Sequence, residues 1–160
     1  MTQNPHNLSI WTRVWIPVAV ALFVLVLILS AILVPELRVL HSLQALIYVA
    51  VFLLTRNNSP WGFGIGVIIA IAWNSLSLFI THLFQVGAGQ AWSLVHTGHA
   101  SDLVPMLVFF GGLAHFLLIL ACIAGFLHLR PGIKQWGQFF AGGILSLGYF
   151  ILIASASGPH

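Results

Sequence analysis

Five long apolar stretches dominate the sequence, and none of them contains a Lys, Arg, Asp or Glu. They cover about residues 14–34, 39–55, 61–84, 103–129 and 136–156. A bilayer core of roughly 30 Å needs about 20 apolar residues per helix, so the pattern predicts five transmembrane helices. The first stretch is longer than the 7–15 apolar residues typical of a signal peptide. We therefore expect it to be retained as the first helix.

The composition supports the same fold class. Of 160 residues, 60% are hydrophobic and 4% are charged, whereas soluble domains carry about 25% charged residues. The sequence thus predicts an all-α integral membrane protein whose partner is the lipid bilayer, with residues 1–160 as one transmembrane domain. Because the few basic residues form no cluster, we expect no nucleic-acid partner.

The basic residues also predict an orientation. Five spans place the N-terminus and the second and fourth connections on one side, which holds Arg13, Arg56, Arg130 and Lys134. The other side holds Arg38 alone. Positive residues favour the cytoplasmic side, so the N-terminus is predicted to be cytoplasmic and the C-terminus external, in a bacterial inner membrane. Residues 85–102 then form the one long external loop, in which 90–95 is expected to lie along the interface as a short amphipathic turn.

Polar side chains at similar depth predict a buried layer near the middle of the bundle. At 1.5 Å per residue along each helix, Tyr48, Asn74, His115 and Ser146 fall at matching depths. Polar groups in lipid need internal partners, so hydrogen bonding between helices is the favoured interpretation. A quinone pocket, a ligand site or a proton path is the alternative, since ionisable groups inside membranes are often functional.

Eight histidines are present, and four of them map to the predicted external side. His41 and His82 are expected at equal depth on consecutive antiparallel helices. Opposed imidazoles of this kind would suit haem b, and one of them alone would suit a chlorophyll-type pigment.

A second histidine pattern predicts a metal site. His96 and His99 stand three residues apart, with Asp102 close behind. Imidazole suits both Zn²⁺ and Cu²⁺, so this segment is a candidate external metal site. The alternative role for Asp102 is to cap the next helix.

The functional hypothesis follows from the lack of a reaction motif in the sequence. Paired intramembrane carboxylates, a nucleophile elbow and a phosphate-binding loop are all missing, which favours a protein that is not an enzyme. We expect a non-catalytic accessory subunit of a membrane complex, in electron transfer or light harvesting, that packs on protein partners through Gly/Ala-rich helix faces. A haem- or pigment-binding redox protein and an external metal-binding protein are the alternatives.

Overall fold

The computed structural model describes residues 9–156, and every regular element in this part of the chain is helical. The α-helices are α1 (Ile16–Leu33), α2 (Arg38–Arg56), α3 (Pro60–Ser75), α4 (Leu83–Thr97), α5 (Leu103–His128) and α6 (Ile133–Ala156). A π-helical turn, Trp11–Trp15, precedes α1, and a 3₁₀ turn, Pro35–Leu37, precedes α2. A second π-helical turn, Leu76–Ile80, extends α3.

Five helical segments are long and apolar enough to cross a membrane: Trp11–Leu33, Pro35–Arg56, Pro60–Ile80, Leu103–His128 and Ile133–Ser155. They indicate a membrane protein. The prediction of an all-helical fold with five candidate spans is therefore confirmed. We refer to the end of the bundle where α1 ends and α2 and α5 begin as the Arg38 end, and to the opposite end as the Arg56 end.

The distribution of side chains is compatible with contact between the outer surface of the bundle and a lipid bilayer. Large apolar residues are exposed on the outside, for example Phe79 at 74%, Ile144 at 71% and Leu152 at 65%. Polar residues are buried inside, among them Asn74 and His115. Polar groups that lipid cannot satisfy are thus turned towards partners within the bundle.

The segment predicted as the external loop 85–102 is mostly helical, and this boundary prediction was wrong. Helix α4 occupies Leu83–Thr97, and Gly98 ends it in the left-handed conformation at φ 71°, as glycine commonly does after a helix. Two glycines near its start favoured a loop by propensity. Packing overrides that weak preference, because Gly87 is buried against α5.

Helix α4 follows the third span in place of the predicted loop, and it runs in the same direction as α3. Both run antiparallel to α5. Along α3, Gly66 lies against Cys122 and Asn74 bonds to Gly112. Along α4, Phe84 contacts Phe109 and Gln90 bonds to Ser101. The chain therefore continues in the same direction after a break at Thr81 and His82, and the end of α4 projects beyond the start of α5.

Glycines bring the helices of the bundle close together. A Cβ on Gly64 would collide with the carbonyl oxygen of Phe139 on α6, and one on Gly142 would lie 2.6 Å from the Trp61 carbonyl oxygen on α3. A Cβ on Gly66 would lie 2.7 Å from Sγ of Cys122. The Gly-rich faces of these helices are thus used for contacts inside this chain.

Candidate functional site

The buried polar centre of the bundle is a hydrogen bond between Tyr48 on α2 and His115 on α5. The Tyr48 hydroxyl and His115 Nε2 are 2.6 Å apart, and both side chains are almost fully buried. Two of the four residues predicted to share a polar layer therefore meet. The contact ties together helices that are far apart in sequence.

Aromatic rings enclose this pair. The Phe23 ring of α1 lies 3.9 Å from the His115 ring, centroid to centroid, and the Trp73 ring of α3 meets it edge-on at 4.9 Å. Phe23 also contacts the Tyr48 ring at 4.5 Å. Four helices therefore contribute to one cluster, and its geometry holds the imidazole in a fixed orientation.

Asn74 lies next to this cluster, whereas Ser146 does not join it. Asn74 Nδ2 donates to the carbonyl of Gly112, one turn before His115, at 3.4 Å. Ser146 instead donates to Gly143 of its own helix. The predicted layer is thus a group of three residues, because a serine near the middle of a helix can satisfy its hydroxyl locally.

The chemical capacity of this cluster is limited by packing. His115 Nδ1 and Asn74 Oδ1 are buried without a hydrogen-bond partner in the described residues, so hydrogen-bonding capacity remains. A quinone or haem at His115 would have to displace the Phe23 and Trp73 rings. The geometry favours an interhelical anchor, and a cofactor role for Tyr48, Asn74 and His115 stays a prediction.

His41 lines a groove between α1 and α2 at the Arg38 end. The groove has a volume of about 470 Å³, and Arg38 and Ser42 share its rim. The Nδ1 atom of His41 is buried and has no hydrogen-bond partner in the described part of the chain. His41 thus belongs to a surface groove on the α1 side of α2.

His82 occupies a different place, at the break between α3 and α4. It is exposed and takes the left-handed conformation at φ 54°, and it precedes the first residue of α4. No contact joins it to His41 in residues 9–156. The paired-ligand geometry for haem b or a chlorophyll-type pigment stays a prediction that this arrangement does not favour.

Two of the three predicted metal ligands have side-chain contacts with other residues. His96 stacks on Trp92 with ring centroids 3.8 Å apart, and its Nδ1 lies 3.0 Å from the Trp92 carbonyl oxygen. For His99, the bond from Ser93 goes to the backbone carbonyl and does not involve the imidazole. Asp102 Oδ1 accepts from the Val104 amide at 2.9 Å, so its predicted role as a helix cap is confirmed. Over residues 9–156, no three His, Cys, Asp or Glu side chains are placed to hold a metal ion.

Helix α4 is clamped to α5 along one side. A Cβ on Gly87 would collide with the Pro105 carbonyl. The Gln90 side chain accepts from the Ser101 amide at 2.9 Å and donates to the Ser101 hydroxyl at 3.0 Å. These contacts hold α4 firmly without covering its opposite side.

That opposite side carries an exposed surface, which we call the α4 outer face and define as Gly89, Trp92, Val95 and His96. Trp92 is 66% exposed and Val95 is 79% exposed. A Cβ on Gly89 would meet no atom within 4 Å. The face therefore offers a stacked aromatic pair beside a flat, open position.

Several contributing residues carried too little signal to be found from the sequence. Phe23 and Trp73 resemble any other aromatic residue of an apolar helix, so their contact with His115 was not foreseen. Gln90 was noted only as part of a loop. Arg38 was considered only for orientation, and its place at the α1–α2 groove was not foreseen.

No protein-family model matches the chain, and no curated protein or solved structure matches it either. The function must therefore be argued from the geometry described above.

Proposed function

We propose that this chain is a non-catalytic accessory subunit of a larger membrane complex, and that it binds its partner subunit through the α4 outer face. The observation that carries the proposal is that α4 packs on one side only. Its inner side is fixed to α5, while Trp92 and Val95 are largely exposed on the other side, where Trp92 stacks on His96 of the same helix.

The chemistry of this face suits protein binding. Tryptophan is among the residues that contribute most to binding energy at interfaces, and Trp92 is held in place by its stack on His96. A side chain that is already ordered loses less entropy on binding. The open position at Gly89 allows a partner helix to approach the backbone closely.

The glycine-rich faces suggested by the sequence are less suitable as the docking surface. Gly62, Gly64, Gly66, Gly142 and Gly143 all lie against neighbouring helices of the same chain. A partner could reach these glycines only if the bundle opened. The proposal therefore moves the partner contact from these faces to α4.

Orientation and location complete the proposal. The N-terminus is cytoplasmic, the C-terminus external, and the membrane is a bacterial inner membrane, since four of the five basic residues lie on one side. The α4 outer face then meets its partner near the external surface. Reporter fusions at both termini test this: an externally active N-terminal fusion would reverse the assignment.

The central experiment is site-specific photocrosslinking in native membranes. A benzoylphenylalanine at Val95 should give a discrete crosslinked band containing a second protein. The matched control is the same probe at Ile144 on α6, which is 71% exposed, compared with 79% for Val95. Equal crosslinking at both positions, or lipid adducts alone at Val95, would remove the docking role of α4.

A second measurement asks whether the complex depends on Trp92. Native electrophoresis of mildly solubilised membranes should show the chain in a large complex. Trp92→Ala should release it, whereas Leu152→Ala on the exposed face of α6 should not. If the unsubstituted chain migrated as a free monomer of 17.4 kDa plus detergent, the accessory-subunit proposal would fail.

The same preparation tests electron transfer or light harvesting as the setting. An absorption spectrum before and after dithionite reduction detects haem b or a pigment, and extraction detects quinone. His41→Ala and His82→Ala should leave such bands unchanged if a partner subunit carries the cofactor. Loss of a Soret band in either variant would favour the redox alternative. Metal content that fell in a His96→Ala/His99→Ala variant would favour the metal-binding alternative.

A further inference from the structure

The groove between α1 and α2 combines an apolar wall with a polar rim. Its walls are formed by Val24, Leu27, Ile28, Ala31, Ile32 and Ala45. Arg38, His41 and Ser42 lie at its upper edge, at the Arg38 end of the bundle. An amphiphile with a polar head and a hydrocarbon tail has the same distribution of polarity.

The charge at the rim lacks a partner. Arg38 donates from Nε to the Ala31 carbonyl at 3.1 Å and forms no ion pair with a carboxylate in residues 9–156. Glu36, the nearby acid, does not line the groove. The remaining guanidinium N–H groups are free to bind a phosphate, for which their planar arrangement is well suited.

One hydrogen-bonding atom at the rim also has no partner in the described residues. His41 Nδ1 is buried without a partner in the described chain, and native structures leave few such atoms unsatisfied. Beside it, the exposed Ser42 hydroxyl lines the rim. A ligand with ester or phosphate oxygens would accept hydrogen bonds from the Ser42 hydroxyl and from His41 in the tautomer that protonates Nδ1.

The length of the groove matches one leaflet of a bilayer. From Val24 to Ile32 along α1 is about 12 Å at 1.5 Å per residue. One leaflet of hydrocarbon is about 15 Å deep, half of a core of roughly 30 Å. We propose that the α1–α2 groove binds one phospholipid with a net negative headgroup, its phosphate at Arg38 and one acyl chain along the wall.

An anionic phospholipid fits this groove better than the quinone considered above. A quinone head is neutral and would leave the Arg38 charge without a counter-ion. A zwitterionic phospholipid brings its own cation beside the guanidinium. Because Arg38 forms no ion pair in the described residues, an anionic headgroup is the best match for the rim, and this binding is independent of α4 and of the proposed partner.

The test uses the full chain in nanodiscs that contain equal amounts of phosphatidylglycerol and phosphatidylcholine with the same acyl chains. After transfer to mild detergent, native mass spectrometry counts the lipids that remain bound. We expect one retained phospholipid, enriched about fivefold in phosphatidylglycerol, as one basic residue at a membrane surface predicts.

Three variants make the result specific. Arg38→Gln should abolish the enrichment. Arg56→Gln should preserve it, because this residue lies at the opposite end, with its guanidinium over the Phe52 ring. Ala31→Phe should fill the groove, so that neither phosphatidylglycerol nor phosphatidylcholine is retained. Protection of the buried Cys122 thiol from a thiol-reactive dye verifies that each variant is folded.

The contrary results are equally defined. Equal retention of both lipids, or enrichment that survives Arg38→Gln, would overturn the proposal. Retention of an isoprenoid quinone at the mass of the complex would also overturn it and reassign the groove. A folded chain that keeps no lipid would show that the groove is only transiently filled by bulk lipid.

Discussion

Helices α3 and α4, which follow one another along the chain, differ in how they are held. Helix α3 is surrounded: it packs on α2, α5 and α6 and contributes Trp73 and Asn74 to the buried centre. Helix α4, on the other side of the break, packs along α5 and leaves Trp92 and Val95 exposed. Both helices run antiparallel to α5, and both use a glycine for close approach to a neighbouring backbone.

The difference shows that two successive helices running in the same direction can serve two purposes. Helix α3 stabilises the bundle, because it packs on several other helices. Helix α4 adds a rigid surface, and the bundle should stay folded when α4 detaches from α5. The break at His82 lies between the two helices, directly after a π-helical turn of a kind often found at functional places.

The largest effect should come from Gly64→Ala. The new methyl group would collide with the Phe139 carbonyl, and because both partners are backbone, neither can move cheaply. We expect a loss of about 3 kcal/mol in the free energy of unfolding. Cys122, the single cysteine, is buried, so its reaction with a thiol-specific dye during heating measures unfolding. Gly137→Ala, with open space on α6, is the control and should change little.

The buried pair should give the next largest effect. Tyr48→Phe removes the hydroxyl and leaves His115 Nε2 without its partner, which should destabilise the bundle by about 2 kcal/mol. The double variant Tyr48→Phe/His115→Leu should lose less free energy of unfolding than the two single variants lose together. The reason is that an apolar pair leaves no unsatisfied group. Tyr149→Phe is the control, since that hydroxyl bonds to the Leu43 carbonyl from a partly exposed position. Strictly additive effects in the Cys122 assay would argue against direct coupling.

Gly87→Ala tests whether α4 is separable from the bundle. The methyl group would meet the Pro105 carbonyl and should push α4 away from α5 at a local cost of about 1–2 kcal/mol. Hydrogen exchange should rise throughout Leu83–Thr97, while the Cys122 melting curve stays the same. Gly89→Ala, on the open side, should leave exchange unchanged. A fall in melting temperature for Gly87→Ala would show that both helices form one cooperative unit.

The smallest effect concerns the break. His82→Gly should slightly slow hydrogen exchange in the first turn of α4, because glycine adopts positive φ without the Cβ clash. The free energy of local opening should rise by up to about 1 kcal/mol. His96→Gly should act in the opposite direction, since glycine is unfavourable inside a helix and the stack on Trp92 is lost. If His82→Gly loosened α4, the imidazole would have to make a stabilising contact there.

The sequence could predict the five candidate spans to within a few residues. A helix that crosses a lipid bilayer must be long and uncharged, and stretches of this kind can be found directly in the sequence. The cap at Asp102 was also predictable, because capping is local to one turn. The proximity of Tyr48 and His115 was only suggested, since depth along a helix follows from residue number but the direction of each side chain does not.

The extent of α4 could not be predicted, because Gly87 and Gly89 have the same local preference and opposite environments. Gly87 is buried against the Pro105 carbonyl, and Gly89 has open space. In the same way, His41 and His82 matched in predicted depth, yet one lines the α1–α2 groove and the other lies at the break.

What the sequence by itself determined is thus the number and approximate lengths of the candidate spans, since both follow from the preference of apolar residues for lipid. Only the tertiary structure decided which polar groups meet, where the third span breaks and which faces stay open. The physical reason is that apolar helices have weak rotational preference in lipid. Their mutual orientation is therefore selected by close glycine contacts and by a few buried hydrogen bonds between distant residues.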